Sequence, residues 1–116
     1  MQKKAKISLK TKEEILNYSK EINIINNKIN YMEDDTNVLF DMNKKLLIRE
    51  NKDIYMEYDF SNKKGYFYIK ELRCEASVII NIEKITIEDN LIEIVYNIDN
   101  NNYFYKIEME WYYEHY

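Results

Sequence analysis

The sequence predicts an all-β fold, an antiparallel meander of short strands. Three observations carry this. Apolar and polar residues alternate with period two along several runs, which marks half-buried strands. Asn and Asp fall between the runs, where tight turns are needed. No room is left for crossover helices, so the strands cannot pair in parallel. With 116 residues, 46% of them hydrophobic, the chain makes a single domain, residues 1–116, with a core to bury.

Each element can be justified in order. Ala5–Lys10 sets Ala5, Ile7 and Leu9 against Lys6, Ser8 and Lys10. Residues 11–20 admit two readings. Thr11-Lys12-Glu13-Glu14 has the form of a helix capping box, and Ile15, Tyr18 and Ile22 share a helical face. Ile22 and Ile24 nonetheless alternate into the next run, and the extended reading is preferred. Shorter alternations follow at Lys28–Glu33, Asn37–Met42 and Lys45–Arg49. Ile54–Phe60 is stronger, with Ile54, Met56, Tyr58 and Phe60 on one face. Tyr66–Lys70 and the long run Glu75–Glu88 come next. Leu91–Ile98 places Ile92, Ile94, Tyr96 and Ile98 together. Tyr103–Tyr112 places Tyr103, Tyr105, Ile107, Met109 and Trp111 on one face and Lys106, Glu108 and Glu110 on the other.

The turns are read from Asn26-Asn27, Asn43-Lys44, Asn51-Lys52-Asp53, Asn62-Lys63-Lys64-Gly65, Asp89-Asn90 and Asn100-Asn101-Asn102. The chain has fifteen Asn, one Gly and no Pro. Asn and Asp therefore take the turn positions that Gly and Pro normally hold. Ile, Asn, Lys, Tyr and Phe all have AT-rich codons, so a low-GC genome accounts for their totals. The scarcity of Gly excludes collagen-like chains and Gly-rich phosphate loops.

Net charge is −4. A nucleic-acid partner is not expected, because phosphate binding calls for a basic excess. The short basic arm Lys3, Lys4, Lys6, Lys10 and Lys12 is the only contrary feature. Cys74 stands alone, so it forms no intrachain disulfide and reads as a free structural thiol in a reducing compartment. No apolar run has the length of a signal-peptide core or a membrane helix. A cytoplasmic protein without membrane contact is expected.

An open sheet of about nine strands leaves two edges and one apolar face, which a sandwich or a closed barrel would resolve. The termini favour closure. Lys4, Lys6 and Lys10 share the polar face of the first strand, and Glu108 and Glu110 that of the last. Pairing those strands would set opposite charges side by side.

Over most of its length, from about Ile7 to Trp111, the chain resembles the YwiB-like family of small bacterial proteins, and three stretches carry the likeness. They are Asn27–Glu33 followed by Thr36–Phe40; Leu47-Ile48-Arg49 followed by Tyr55–Phe60; and Ile85–Glu88 with Ile92–Ile98 and Tyr105–Met109. The resemblance implies a calycin-like, lipocalin-type barrel: closed, antiparallel, up-and-down, with about 8–10 strands. That family has no characterised function. The chain departs from it where Lys70-Glu71-Leu72-Arg73-Cys74 replaces a Pro- and Gly-containing turn, and where Glu50-Asn51 follows the Arg strand without a Gly. It is also shorter near residues 11–20.

Chemistry-bearing constellations are few. His115 and Cys74 are the only soft metal ligands, and the acid pairs Glu13-Glu14 and Asp34-Asp35 would point to opposite faces of a strand. No metal, no cofactor and no catalytic role are expected. Arg49 ends the apolar run Leu46-Leu47-Ile48 and needs a partner if it is buried, for which Glu33 is the candidate. This pair either closes the barrel or anchors a ligand. Tyr31, Tyr58, Tyr68, Tyr96, Tyr103 and Tyr105 either fill the core or line a cup. The expected function is binding of a small apolar or aromatic molecule through Tyr31, Glu33, Arg49, Tyr68 and Tyr96. The alternative is a protein-interaction or homodimeric module with an outer aromatic patch. The run Trp111-Tyr112-Tyr113-Glu114-His115-Tyr116 has aromatics on both faces, so it is expected to plug a barrel mouth or form a dimer contact.

Overall fold

A computed structural model describes residues 2–10 and 15–109. Their eleven strands are β1 (Gln2–Lys10), β2 (Ile15–Ile25), β3 (Lys28–Glu33), β4 (Thr36–Asp41), β5 (Leu46–Glu50), β6 (Ile54–Asp59), β7 (Lys64–Ile69), β8 (Cys74–Ile79), β9 (Asn81–Ile87), β10 (Leu91–Ile98) and β11 (Asn101–Met109). All pairings are antiparallel. The sheet runs β8-β7-β6-β5-β4-β3-β2-β1-β11-β10-β9. Each hairpin neighbour is thus a sequence neighbour, and only β1 with β11 joins the ends of the chain. The result is a nearly closed up-and-down barrel.

Period-two patterning fills its interior. Ala5, Ile7 and Leu9, Ile29 and Tyr31, Val38 and Phe40, Ile92, Ile94 and Tyr96, and Tyr105, Ile107 and Met109 all turn inward and are buried. Residues 15–20, for which helix and strand both stood open, are strand, and Leu16, Tyr18 and Ile24 pack on the core. The capping-box residues 11–14 lie outside the described residues. β1 and β11 do pair, with Lys6 opposite Glu108. Glu110 lies outside the described residues.

Backbone geometry confirms the turn residues in part. Asn26 and Asn27, and Asp99 and Asn100, are left-handed in consecutive pairs, the signature of a tight hairpin turn. Asn101 and Asn102 belong instead to β11. Lys45, Lys63 and Arg73 are also left-handed, each just before or at the foot of a strand, where Gly is usual. Gly65 is not a turn residue. It sits inside β7 with an ordinary backbone, and a Cβ there would lie 2.8 Å from Val78 Cγ2. Its hydrogen is what lets β7 and β8 approach.

The run 75–88 behaves differently from a single strand. It changes partner at Ile80, pairing with β7 before it and with β10 after it. Ile80 is fully buried, and its N–H donates to Lys63 O at 2.9 Å. A register shift between Val95 and Tyr96 then leaves Glu83 without an opposite residue. The barrel is therefore closed by one shared stretch of chain rather than by a β8–β9 ladder. This gives an elongated molecule, 54 × 30 × 27 Å. β8 projects into solvent and is exposed along most of its length. Cys74 is a free, exposed thiol at its start, because the strand that carries it lies beyond the packed interior.

Candidate functional site

The wall of the barrel splits between β2 and β3. Their registered pairs stop at Asn23–Asn30, so Ile15–Ile22 of β2 draw away from the end of β3. A hollow of about 330 Å³ lies in the split, lined by Leu16, Tyr18, Lys20, Met32, Glu33 and Asp34 among others.

Glu33 is the inward-facing last residue of β3. One of its carboxylate oxygens accepts from Tyr18 Oη and the other from Arg49 Nη2. Arg49 reaches it from β5, two strands away; Val38 of β4 stands in register with Arg49 and Tyr31, and Glu33 stands opposite Thr36. Both side chains of the ion pair are nearly buried, 11% exposed for Arg49 and 12% for Glu33. Burial pulls the guanidinium pKa down, but the bond and charge of Glu33 outweigh it, and the net direction is up. Arg49 is thus a fixed cation. Its Nη1 is buried with no hydrogen-bond partner among the described residues.

Deeper in, Tyr31 and Tyr105 share a hydroxyl–hydroxyl bond of 2.7 Å. Burial drives the pKa of both phenols up, as it does for Tyr18, where the bond to Glu33 adds to the effect. A second aromatic layer follows. Tyr96 packs edge-on against Phe60 at 5.3 Å and stacks on Tyr103 at 5.5 Å, and Tyr58 meets Phe67 edge-on at 5.5 Å. These rings fill the interior. Five surface hollows of about 320–400 Å³ lie among the described residues, and Tyr31, Tyr58, Tyr96 and Tyr105 line none of these five.

Of the residues singled out from the sequence, Tyr31, Glu33, Arg49 and Tyr96 face inward. Tyr31, Glu33 and Arg49 cluster beside the wall split, and Tyr96 lies in the second aromatic layer. Tyr68 does not join them. It pairs with Tyr55 and Glu75 on the outer face, because Phe67 and Gly65 hold the inward phase of β7. The run Tyr66-Phe67-Tyr68 is aromatic throughout, so alternation carries no phase there. Tyr18 was missed as a site residue. The alternation Leu16, Tyr18, Lys20, Ile22 is the signal that could have placed it inward. Among the described residues no group of three His, Cys, Asp or Glu could hold a metal ion. His115 and the other residues of the C-terminal run lie outside the described residues.

The fold and this cluster define a class: an all-β, up-and-down antiparallel barrel, nearly closed, with an ion pair set inside its wall. Comparison with known protein families, with curated proteins and with solved structures gives no match to this chain.

Proposed function

We propose that this chain is a YwiB-like, calycin-type barrel that binds a small molecule, entering through the split between β2 and β3. The ligand has an apolar or aromatic body and one hydrogen-bond-accepting oxygen. The observation that carries this is Arg49 Nη1, a buried donor without an acceptor among the described residues, held by Glu33, which lines the opening in the wall. An unpaired buried donor costs about 1–3 kcal/mol, and a ligand oxygen would remove that cost. Leu16, Tyr18 and Met32 supply the apolar contact. Because Glu33 is engaged by two partners, its role in this reading is to hold Arg49 and Tyr18, and the protein is a binder rather than an enzyme. An exposed, lone Cys74 suits a reducing, cytoplasmic setting.

A second reading is a protein-interaction or homodimeric module. Tyr55 and Tyr66 meet edge-on on the outer face, and Ile69, Leu72 and Ile79 are exposed nearby. β8 has a sheet neighbour on one side only among the described residues.

Native mass spectrometry of gently purified protein tests both. A retained small mass, lost in Arg49→Met and weakened in Arg49→Lys with cooperative unfolding intact, supports the first reading. A doubled mass supports the second. A bare monomer whose β2 and β3 amide NMR signals ignore a panel of phenols and aromatic carboxylates would sink the ligand reading.

A further inference from the structure

β8 and β9 are the two ends of the sheet among the described residues, and they differ. The ladder of β9 is broken by a register shift, and Glu83 and Lys84 stand at the break. Bulges and charges of that kind guard an edge. β8 keeps one unbroken register with β7 and holds a single charge, Glu75. An edge of six residues without bulge, Pro or Lys is open to another strand.

The ladder fixes which backbone groups β8 offers. Ile80 N–H donates to Lys63 O at 2.9 Å, so the bonded pairs with β7 fall on Val78, Ala76 and Cys74. The N–H and C=O groups of Glu75, Ser77 and Ile79 therefore turn away from β7. The side chains of these three residues share the outer face with Tyr66 and Tyr68.

That face is acidic and aromatic. One row across the sheet is Glu50, Tyr55, Tyr68 and Glu75, and the next includes Glu57, Tyr66 and Ser77. Lys70 holds Glu50 at 2.8 Å, but among the described residues no cation is within ion-pair reach of Glu57 or Glu75. Tyr66 Oη donates to Glu75 at 2.7 Å and holds that carboxylate at the edge. A strand laid on β8 sets an outer side chain beside Glu75, where a Lys or Arg meets the carboxylate and the tyrosine rings behind it. On the other face Cys74 and Ala76 are exposed, with Ile69 opposite Cys74, so apolar residues suit the alternate phase. A second copy would bring another Glu75 to this edge, and a basic strand does not.

We propose that β8 is a docking edge for an extended segment of another protein that alternates Lys or Arg with apolar residues. This rests on the interaction reading above and names its partner's chemistry.

Two short capped peptides test it on the isotope-labelled full chain, one alternating Lys with Val and one alternating Glu with Val. The Lys peptide should shift the amide signals of Glu75, Ser77 and Ile79 and slow their hydrogen exchange, and the Glu peptide should do neither. Glu75→Lys should weaken the Lys peptide about fivefold and let the Glu peptide bind. Ser77→Pro removes an N–H that β7 does not use, so the fold should stand while binding falls about tenfold. Equal responses to both peptides, or none along β8, would overturn the proposal. A dimer formed through β8, or through another face with β8 silent, also overturns it but keeps the interaction reading. A monomer whose signals ignore both peptides leaves neither standing.

Discussion

At the scale of single residues, the chain shows how turns are built almost without glycine. Asn26, Asn27, Asp34, Asp99 and Asn100 take left-handed backbone at the hairpins, where their short polar side chains are tolerated. Lys45, Lys63 and Arg73 take it without that help. A long aliphatic side chain gains nothing from the left-handed region and suffers the usual Cβ clash. Lys63→Gly should therefore stabilise the fold by about 0.5–1 kcal/mol, read as a raised urea midpoint at unchanged slope. The ion pair of Arg49 and Glu33 follows a different logic. Each charge is nearly buried, so each is held by the other. Arg49 stood out in the sequence because it ends the apolar run Leu46-Leu47-Ile48, and a buried charge must be paired, for which Glu33 was the candidate.

At the scale of elements, the informative pair is β7 and β8. Gly65 and Val78 face each other in register, and the missing Cβ is the space that Val78 fills. Gly65→Ala forces that valine aside and should cost about 1–2 kcal/mol in chemical denaturation. The double variant Gly65→Ala with Val78→Ala should recover most of the loss, and equal, additive losses would show that the contact is not the cause. β2 and β3 are the complementary case. They share only three registered pairs, and the split that follows is where Tyr18 and Glu33 bridge the wall through side chains instead of backbone. The outward phase of Tyr68 belongs to this scale too, since the strand that carries it has aromatic side chains on both faces.

At the scale of the whole molecule, closure and burial set the response to charge. Lys6 lies opposite Glu108 where the chain ends meet, and Lys106 bridges Glu108 at 3.1 Å. Lys6→Glu sets like charges across that seam. Its melting temperature should fall in low salt, and the difference should shrink as salt screens the pair. The buried tyrosines set the alkaline limit. Folding raises the pKa of Tyr18, Tyr31, Tyr96 and Tyr105, chiefly by burial. Their contribution is complete below the unfolded value of about 10 and is lost as pH rises above it, because the unfolded phenols then release protons that the folded ones keep. Stability should stay level through neutral pH and drop above about pH 10, with the phenolate absorbance of the buried rings appearing in one cooperative step as the barrel opens, on top of the gradual ionisation of the exposed ones. Gradual ionisation of all the tyrosines without unfolding would contradict the burial of these rings.

The sequence by itself determined the fold class, most strand positions and the face each strand buries, since those follow from period two and from Asn at the turns. It also pointed to Glu33 as the partner of Arg49. The tertiary structure decided the rest. The partner switch at Ile80, the split beside β2 and the convergence of Tyr18, Glu33, Arg49, Tyr31 and Tyr105 depend on register and stagger summed around the barrel. Alternation along one strand says which way a side chain points. It cannot say which residue of a distant strand will stand opposite, because that is fixed only when the two ends of the sheet meet.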